Sequence, residues 1–289
     1  MNLNRASAAR DLLAFYVEAG VDTAVGETAN DLLSNALSLR GESSRTAPEE
    51  NRSSAKAGVA SPHANEVRRS IPSPPTERQK AAPLAPDAAV MAAREAARGA
   101  ATLEELRAIL DGFEGCALKH TATQLVFADG NPQAPVMFVG EAPGSEEDRQ
   151  GLPFVGRSGK LLDRMLAAIG LDRSSVYIAN IVPWRPPGNR TPTPQEAAIC
   201  LPFVRRQIEL CDPDILVCLG GPSAQTLLGF KEGIMKSRGR WLTFHTGRRD
   251  IRAMATFHPA YLLRTPLAKR LAWRDFLAIK KALAEVSGA

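Results

Sequence analysis

Four short, mainly apolar runs stand out in the second half of the chain, at residues 136–139, 176–181, 215–219 and 253–257. Runs of this length, without polar alternation, predict strands buried on both faces. Between them, apolar positions return at helical spacing over residues 159–169, 194–211 and 223–228. Upstream, an Ala-rich stretch at 87–98 and a segment opened by the capping sequence "TLEEL", running from 102 to about 113, predict two further helices. Strands joined by helices imply an α/β fold: a three-layer sandwich whose central, mostly parallel, four-stranded sheet is flanked by helices. Right-handed crossovers then bring every strand's carboxyl end to one rim, where open α/β sheets bind ligands.

The first 86 residues read differently. Residues 1–40 are expected to form a helical N-terminal segment, since Leu12, Leu13, Tyr16, Val17, Leu32, Leu33 and Leu37 stand at helical spacing. From 41 to 86 the chain is rich in Pro and Ser and contains no Phe, Trp or Tyr. Such a segment buries too little apolar surface to offset its ordering entropy, so a disordered linker is expected there, leaving 87–289 as the folded domain.

Composition narrows the function classes. An apolar fraction of 44% suffices for a sizeable core, and a formal net charge of +5 is compatible with a nucleic-acid partner. The opening "MNLNRASAARDLLAFYVEAG" has no long apolar stretch or small-residue cleavage site, and no later run approaches the roughly 18 apolar residues of a membrane span. The expectation is a cytoplasmic protein with no membrane association. Cys116, Cys200, Cys211 and Cys218 are too few and too scattered for a disulfide framework, leaving buried thiols or remnants of a metal site.

The strand ends carry the chemistry. They read "VGEAPGSEED", "ANIVPWRPPGNR", "CLGGPSAQ" and "FHPAYLLR", which directs Glu141, Asn180, Gly220 and His258 to one crevice. "GEAPG" lacks the Gly-Lys-Ser/Thr ending of a phosphate loop and is not a dinucleotide fingerprint. Its small residues instead let a backbone approach a ligand closely, and the Phe154 ring could stack on a flat one. Asn180 can donate and accept in one plane, as reading a pyrimidine edge requires. Singly, Asn180 also fits a turn starter, His258 a core residue and the 146–148 acids a solvated turn. Arg185, Arg190, Arg238, Arg240, Arg264, Lys269 and Arg270 are interleaved with Tyr261, Leu262, Leu263 and Trp273, which suits phosphate contacts around an apolar wedge.

Read in order, "GEAPG", "PFVG", "YIANIV", "RPPGNRTPTPQE", "LGG" and "FHPAYLLR" resemble the family four uracil-DNA glycosylases of bacteria and archaea, over residues from about 113 to 282. The resemblance implies a base-excision repair hydrolase that flips deoxyuridine from DNA and hydrolyses its N-glycosidic bond. By the same resemblance Phe154 stacks on uracil, Asn180 pairs with its edge, and His258 donates to its O2. Glu141 matches the carboxylate of the first motif and is the candidate for placing the attacking water. Gly140 and Ala142 flank it, while Glu147 and Asn189 match a pair that shapes the pocket floor; Glu147 is the other candidate for the water. Arg185, Arg190, Arg238, Tyr261, Leu262 and Arg264 are the expected DNA contacts, with Tyr261 to Arg264 wedging the duplex.

The family carries a [4Fe-4S] cluster on four cysteines. Here Phe113 and Trp184 stand at two ligand positions, and only Cys116 and Cys200 remain. Cys211 lies eleven residues beyond Cys200 on one helix, about 16 Å away, and Cys218 sits inside a strand. The expectation is therefore no cofactor, with aromatic packing filling the cluster's volume. Uracil-containing DNA is the expected partner of a monomer, with the N-terminal segment recruiting another repair or replication protein. The competing reading is a DNA-binding or polymerase-associated protein that kept the fold with weak or lost activity. A relative that traps uracil covalently through a histidine-bearing loop is disfavoured, since no histidine lies between His120 and His245.

Overall fold

The computed structural model describes residues 86–287. The expected N-terminal helical segment and nearly all of the expected linker, residues 1–85, lie outside them. The first two helices are α1 (Pro86–Gly99) and α2 (Leu103–Gly112). The sheet begins with β1 (Asp129–Gly130) and β2 (Val136–Gly140), followed by α3 (Ser145–Gln150), α4 (Arg157–Ala168) and β3 (Tyr177–Asn180). Next come α5 (Pro194–Cys211), β4 (Ile215–Leu219), α6 (Gly221–Leu228) and the one-turn α7 (Ile234–Ser237). The chain finishes with β5 (Trp241–His245), β6 (Asp250–Thr256), α8 (Pro259–Arg264) and α9 (Lys269–Ser287).

Six strands, not four, form one sheet in the order β1-β3-β2-β4-β6-β5. The four apolar runs are its parallel centre, while β1 and β5 pair antiparallel at the two edges. Neither edge strand has a continuous apolar run to announce it: β1 is two residues long, and β5 is buried only at Phe244.

Alternation along the central strands sorts their side chains onto two cores. Met137, Val139, Leu216 and Cys218 face one side with α1, α2 and α5, through Leu106, Leu110, Ile199 and Phe203. Val136, Phe138, Ile215 and Val217 face the other, packed on Leu162 and Leu166 of α4 and Phe276 and Ile279 of α9. With both faces covered, every residue of β2 and β4 is buried, which is why these strands read as unbroken apolar runs.

Helix starts are chemically marked. The Thr102 hydroxyl accepts from the Glu105 amide at 3.2 Å to open α2. Thr193 accepts from the Glu196 amide at 3.2 Å while the Glu196 carboxylate takes the Thr193 amide at 2.7 Å, a reciprocal cap that starts α5. No described helix is long and apolar enough to cross a membrane.

The chain runs from β2 outward to β3 and then returns to β4 on the other side of β2. That reversal opens a crevice beyond the carboxyl ends of the parallel strands.

Candidate active site

A cavity of about 590 Å³ occupies this crevice. Glu141, Ala142, Glu147, Phe154, Asn180, Asn189, Arg190, His258, Tyr261 and Arg264 line it, so most of the residues expected at the site converge there. Thr191, inside the "RPPGNRTPTPQE" stretch but not singled out within it, and Ile234, which no motif marks, also line the wall.

Gly140 lies behind the cavity, and its lack of a side chain sets the geometry. It pairs in register with Asn180 across β2 and β3. A Cβ on Gly140 would lie 2.4 Å from Asn180 Oδ1 and 2.6 Å from Phe154 Cζ, so only glycine lets the amide and the ring close on the same point. Gly220, at φ +98°, brings the chain close to His258, with a built Cβ 3.1 Å from the histidine Cβ. The Phe154 and His258 rings lie 5.4 Å apart, centroid to centroid, inclined at 32°.

Two oxygens in this pocket are buried and have no hydrogen-bond partner among the described residues: Glu141 Oε1 and Asn180 Oδ1. An unpaired buried acceptor costs about 1–3 kcal/mol, so such atoms are rare unless a ligand meets them. Burial raises the Glu141 carboxyl above its ordinary value, against a hydrogen bond from Thr191.

His258 caps α8. Its Nδ1 accepts from the Ala260 amide at 3.1 Å, so the ring proton of the neutral imidazole sits on Nε2. Burial, and then the charge of Arg264, push its pKa down to about 4. The ring is therefore a neutral donor across the physiological range.

Two buried acids hold loops. Glu147 Oε2 accepts from the Gly144 amide at 3.1 Å and Oε1 from the Gly156 amide at 2.9 Å, clasping both ends of the α3 loop. Asp148 accepts from the Thr123 amide at 2.8 Å and the Thr123 hydroxyl at 2.9 Å. Of the 146–148 acids, only Glu146 is solvated.

Asn189, in a left-handed conformation at φ 56°, accepts from Arg185 Nε at 2.7 Å, which fixes the loop after β3. Arg190 is paired with Glu196 through both terminal nitrogens, at 2.8 and 2.7 Å.

Two of the expected DNA contacts are turned inward. Arg238 bonds both oxygens of Asp275 and the Leu271 carbonyl, and lies 5.4 Å from the Phe257 ring centroid. An arginine held by a buried carboxylate is a structural clamp, so Arg238 does not belong among the DNA contacts. Leu262 is 1% exposed, packed with Phe257, Ala268 and Ala272, and cannot wedge a duplex. The most exposed large apolar side chain beyond this helix, among the described residues, is Leu267, at 83%.

The cysteine region is a separate, apolar place. Cys116 and Cys200 are fully buried with their sulfurs 3.9 Å apart. Trp184 is buried at 2% exposure, and Phe113 packs edge-on against Phe203 at 5.0 Å. No group of three or more His, Cys, Asp or Glu side chains among the described residues could hold a metal ion. Cys211 lies near the Tyr177 hydroxyl, and Cys218 is enclosed in β4. Two thiols and two aromatic rings do not fit a cluster that needs about four ligands.

A family model, the Uracil DNA glycosylase superfamily, matches residues 127–277. The chain is 46% identical over 150 residues to the type-4 uracil-DNA glycosylase of Thermotoga maritima, covering 52% of this chain and 77% of that protein. It is 40% identical over 168 residues to the type-4 uracil-DNA glycosylase of Archaeoglobus fulgidus, covering 57% and 84%. A DNA polymerase of Bacillus phage SP01 is 33% identical over 138 residues, 47% of this chain but only 14% of that much longer protein.

Proposed function

The chain belongs to the uracil-DNA glycosylase superfamily, in its type-4 group, and is a hydrolase of the N-glycosyl bond that releases uracil from DNA; we propose that the pocket around Asn180 and Glu141 performs that reaction as follows. The observation that carries this reading is the pair of buried, unpartnered oxygens, Asn180 Oδ1 and Glu141 Oε1, in one cavity.

Uracil offers an N3–H donor beside an O4 acceptor, and Asn180 answers with Oδ1 and Nδ2 in one plane. Cytosine presents the reverse pattern and would leave both groups mismatched, at about 1–3 kcal/mol for each buried group. Phe154 stacks on the flipped base. When the C1′–N1 bond breaks, its electron pair leaves with the base, and charge gathers on O2. His258 Nε2–H donates to that oxygen. A neutral donor suits this task, because its hydrogen bond strengthens as the charge develops.

On the sugar side, the Glu141 carboxylate favours the cationic transition state and holds the water that adds to C1′, taking one of its protons. Glu147 keeps the pocket floor in shape through its two loop amides. Arg190, Arg264 and Arg185 meet phosphates, with Tyr261 beside the vacated base position and Leu267 as the apolar contact Leu262 cannot supply.

Phe113 and Trp184 fill the volume that a cluster would take, and the protein works without one. Residues 1–85 are proposed to recruit another repair or replication protein in the cytoplasm, outside the catalytic unit, so a truncation starting near Asp87 keeps full excision activity. The match to a phage polymerase does not favour a binding-only role, since Glu141, Phe154, Asn180 and His258 are all present.

The test is cleavage of uracil-containing oligonucleotides, single-stranded or opposite G or A, followed by alkali. Abasic product is expected from the wild-type protein and its loss from Asn180→Ala. Wild-type rates in Asn180→Ala would mean that the pocket is misassigned.

A further inference from the structure

Phe154 combines two features that need an explanation. It is not glycine, yet its backbone lies in the left-handed region at φ 56°, and its side chain is 4% exposed at the centre of the pocket. Something outside the pocket must hold the turn.

Arg173, in the turn before β3, is the group that does so. Its Nη2 donates to the Phe154 carbonyl, and its Nη1 donates to the Pro153 carbonyl at 3.1 Å. The guanidinium is itself anchored, by Asp129 of β1 at 2.5 Å and Asp163 of α4 at 2.8 Å. Gly159 of α4 lies against the same carbonyl: a Cβ there would lie 1.6 Å from Phe154 O. The carbonyl is therefore held by a planar fork and packed on a bare backbone, while the ring of the same residue lies against Gly140 and His258.

We propose that Arg173 is a positioning residue for base recognition: it locks the Pro153–Phe154 turn so that the Phe154 ring is preset to stack on the flipped uracil. The proposal rests on the reading that Phe154 stacks on the base. Lysine is no substitute, because a compact ammonium cannot fork to two carbonyls while meeting two carboxylates.

The experiment is a double-mutant cycle on the full chain, read by single-turnover excision and by inhibition with free uracil, with affinity for an abasic-site oligonucleotide measured alongside. Arg173→Lys, which keeps the charge for Asp129 and Asp163, is expected to weaken uracil inhibition by about tenfold and leave abasic-site affinity within about twofold. In a Phe154→Ala background the same change should cost less than about twofold, because the ring it positions is gone. A loss that is equally large in both backgrounds, or one that tracks abasic-site affinity, would overturn the proposal. Asp163→Asn, at a side chain 44% exposed, weakens the anchor of the guanidinium without a steric clash and should show the same dependence on Phe154 to a smaller extent, so the test survives if the arginine variant fails to fold. Phe154→Ala with undiminished uracil inhibition would sink the stacking reading itself, and the proposal with it, a result distinct from additivity.

Discussion

Two buried regions lie on either side of the loop that follows β3. At its start, Asn180 faces a cavity with an unpartnered oxygen, beside a carboxyl raised by burial and a phenylalanine held at positive φ. Four residues on, Trp184 enters a packed core with Cys116, Cys200 and Phe203. The first region keeps buried oxygens that a ligand can meet. The second holds two buried thiols closed in by rings. Buried polarity thus persists where a substrate will meet it, and apolar volume replaces it where nothing will.

Trp184→Ala puts this contrast under the greatest strain. Removing the largest fully buried side chain among the described residues should lower stability by about 3–5 kcal/mol in denaturant titration, with the folded fraction still excising uracil at a near-normal rate. Wild-type stability would mean that the ring does not fill a packed site.

The opposite behaviour is expected at the rim. Asn180→Ala and His258→Ala should each slow single-turnover excision about 10²–10³-fold, a barrier increase of about 3–4 kcal/mol, and leave stability within about 1 kcal/mol of wild type. Asn180→Ala removes an unpartnered buried oxygen, so a large fall in stability there would contradict the contrast.

pH separates the two ionisable groups of the pocket. Excision should fall as pH drops through the raised value of Glu141, by about tenfold per unit, and Glu141→Gln should flatten that limb. His258, pushed down to about 4, should add no inflection near its ordinary value; one that vanishes in His258→Ala would show that the ring titrates in place. Its effect on stability has the same sign. The folded state binds this proton more weakly than the unfolded chain, so stability falls as pH drops below about 6.5 and levels off near 4.

The smallest effect belongs to the residual thiols. Cys116→Val should change stability by less than about 1.5 kcal/mol and leave excision unchanged. Stoichiometric iron and sulfide, with absorbance near about 400 nm in anaerobically purified protein, would refute the packed-core reading.

Legibility in the sequence follows the range of the interaction. The four central strands are readable because both faces are buried, and α5 because Thr193, Pro194 and Glu196 mark its start within four residues. β1 and β5 are not, since pairing at an edge leaves little hydrophobic signature. The helix at Ser145–Gln150 is hidden among charges: its buried acids are satisfied by backbone amides and by Thr123, far along the chain.

The order of the four central strands, the parallel core and the delivery of Glu141, Asn180 and His258 to one rim are written in the chain itself. Periodicity and motif spacing are local, and crossover handedness does the rest. The burial of Leu262, the service of Arg238 to Asp275, and the grip of Arg173 on the Phe154 turn from 19 residues away emerge only in three dimensions. An arginine or a leucine carries no local sign of which carboxylate, carbonyl or ring it will meet. That choice is made by packing between distant segments.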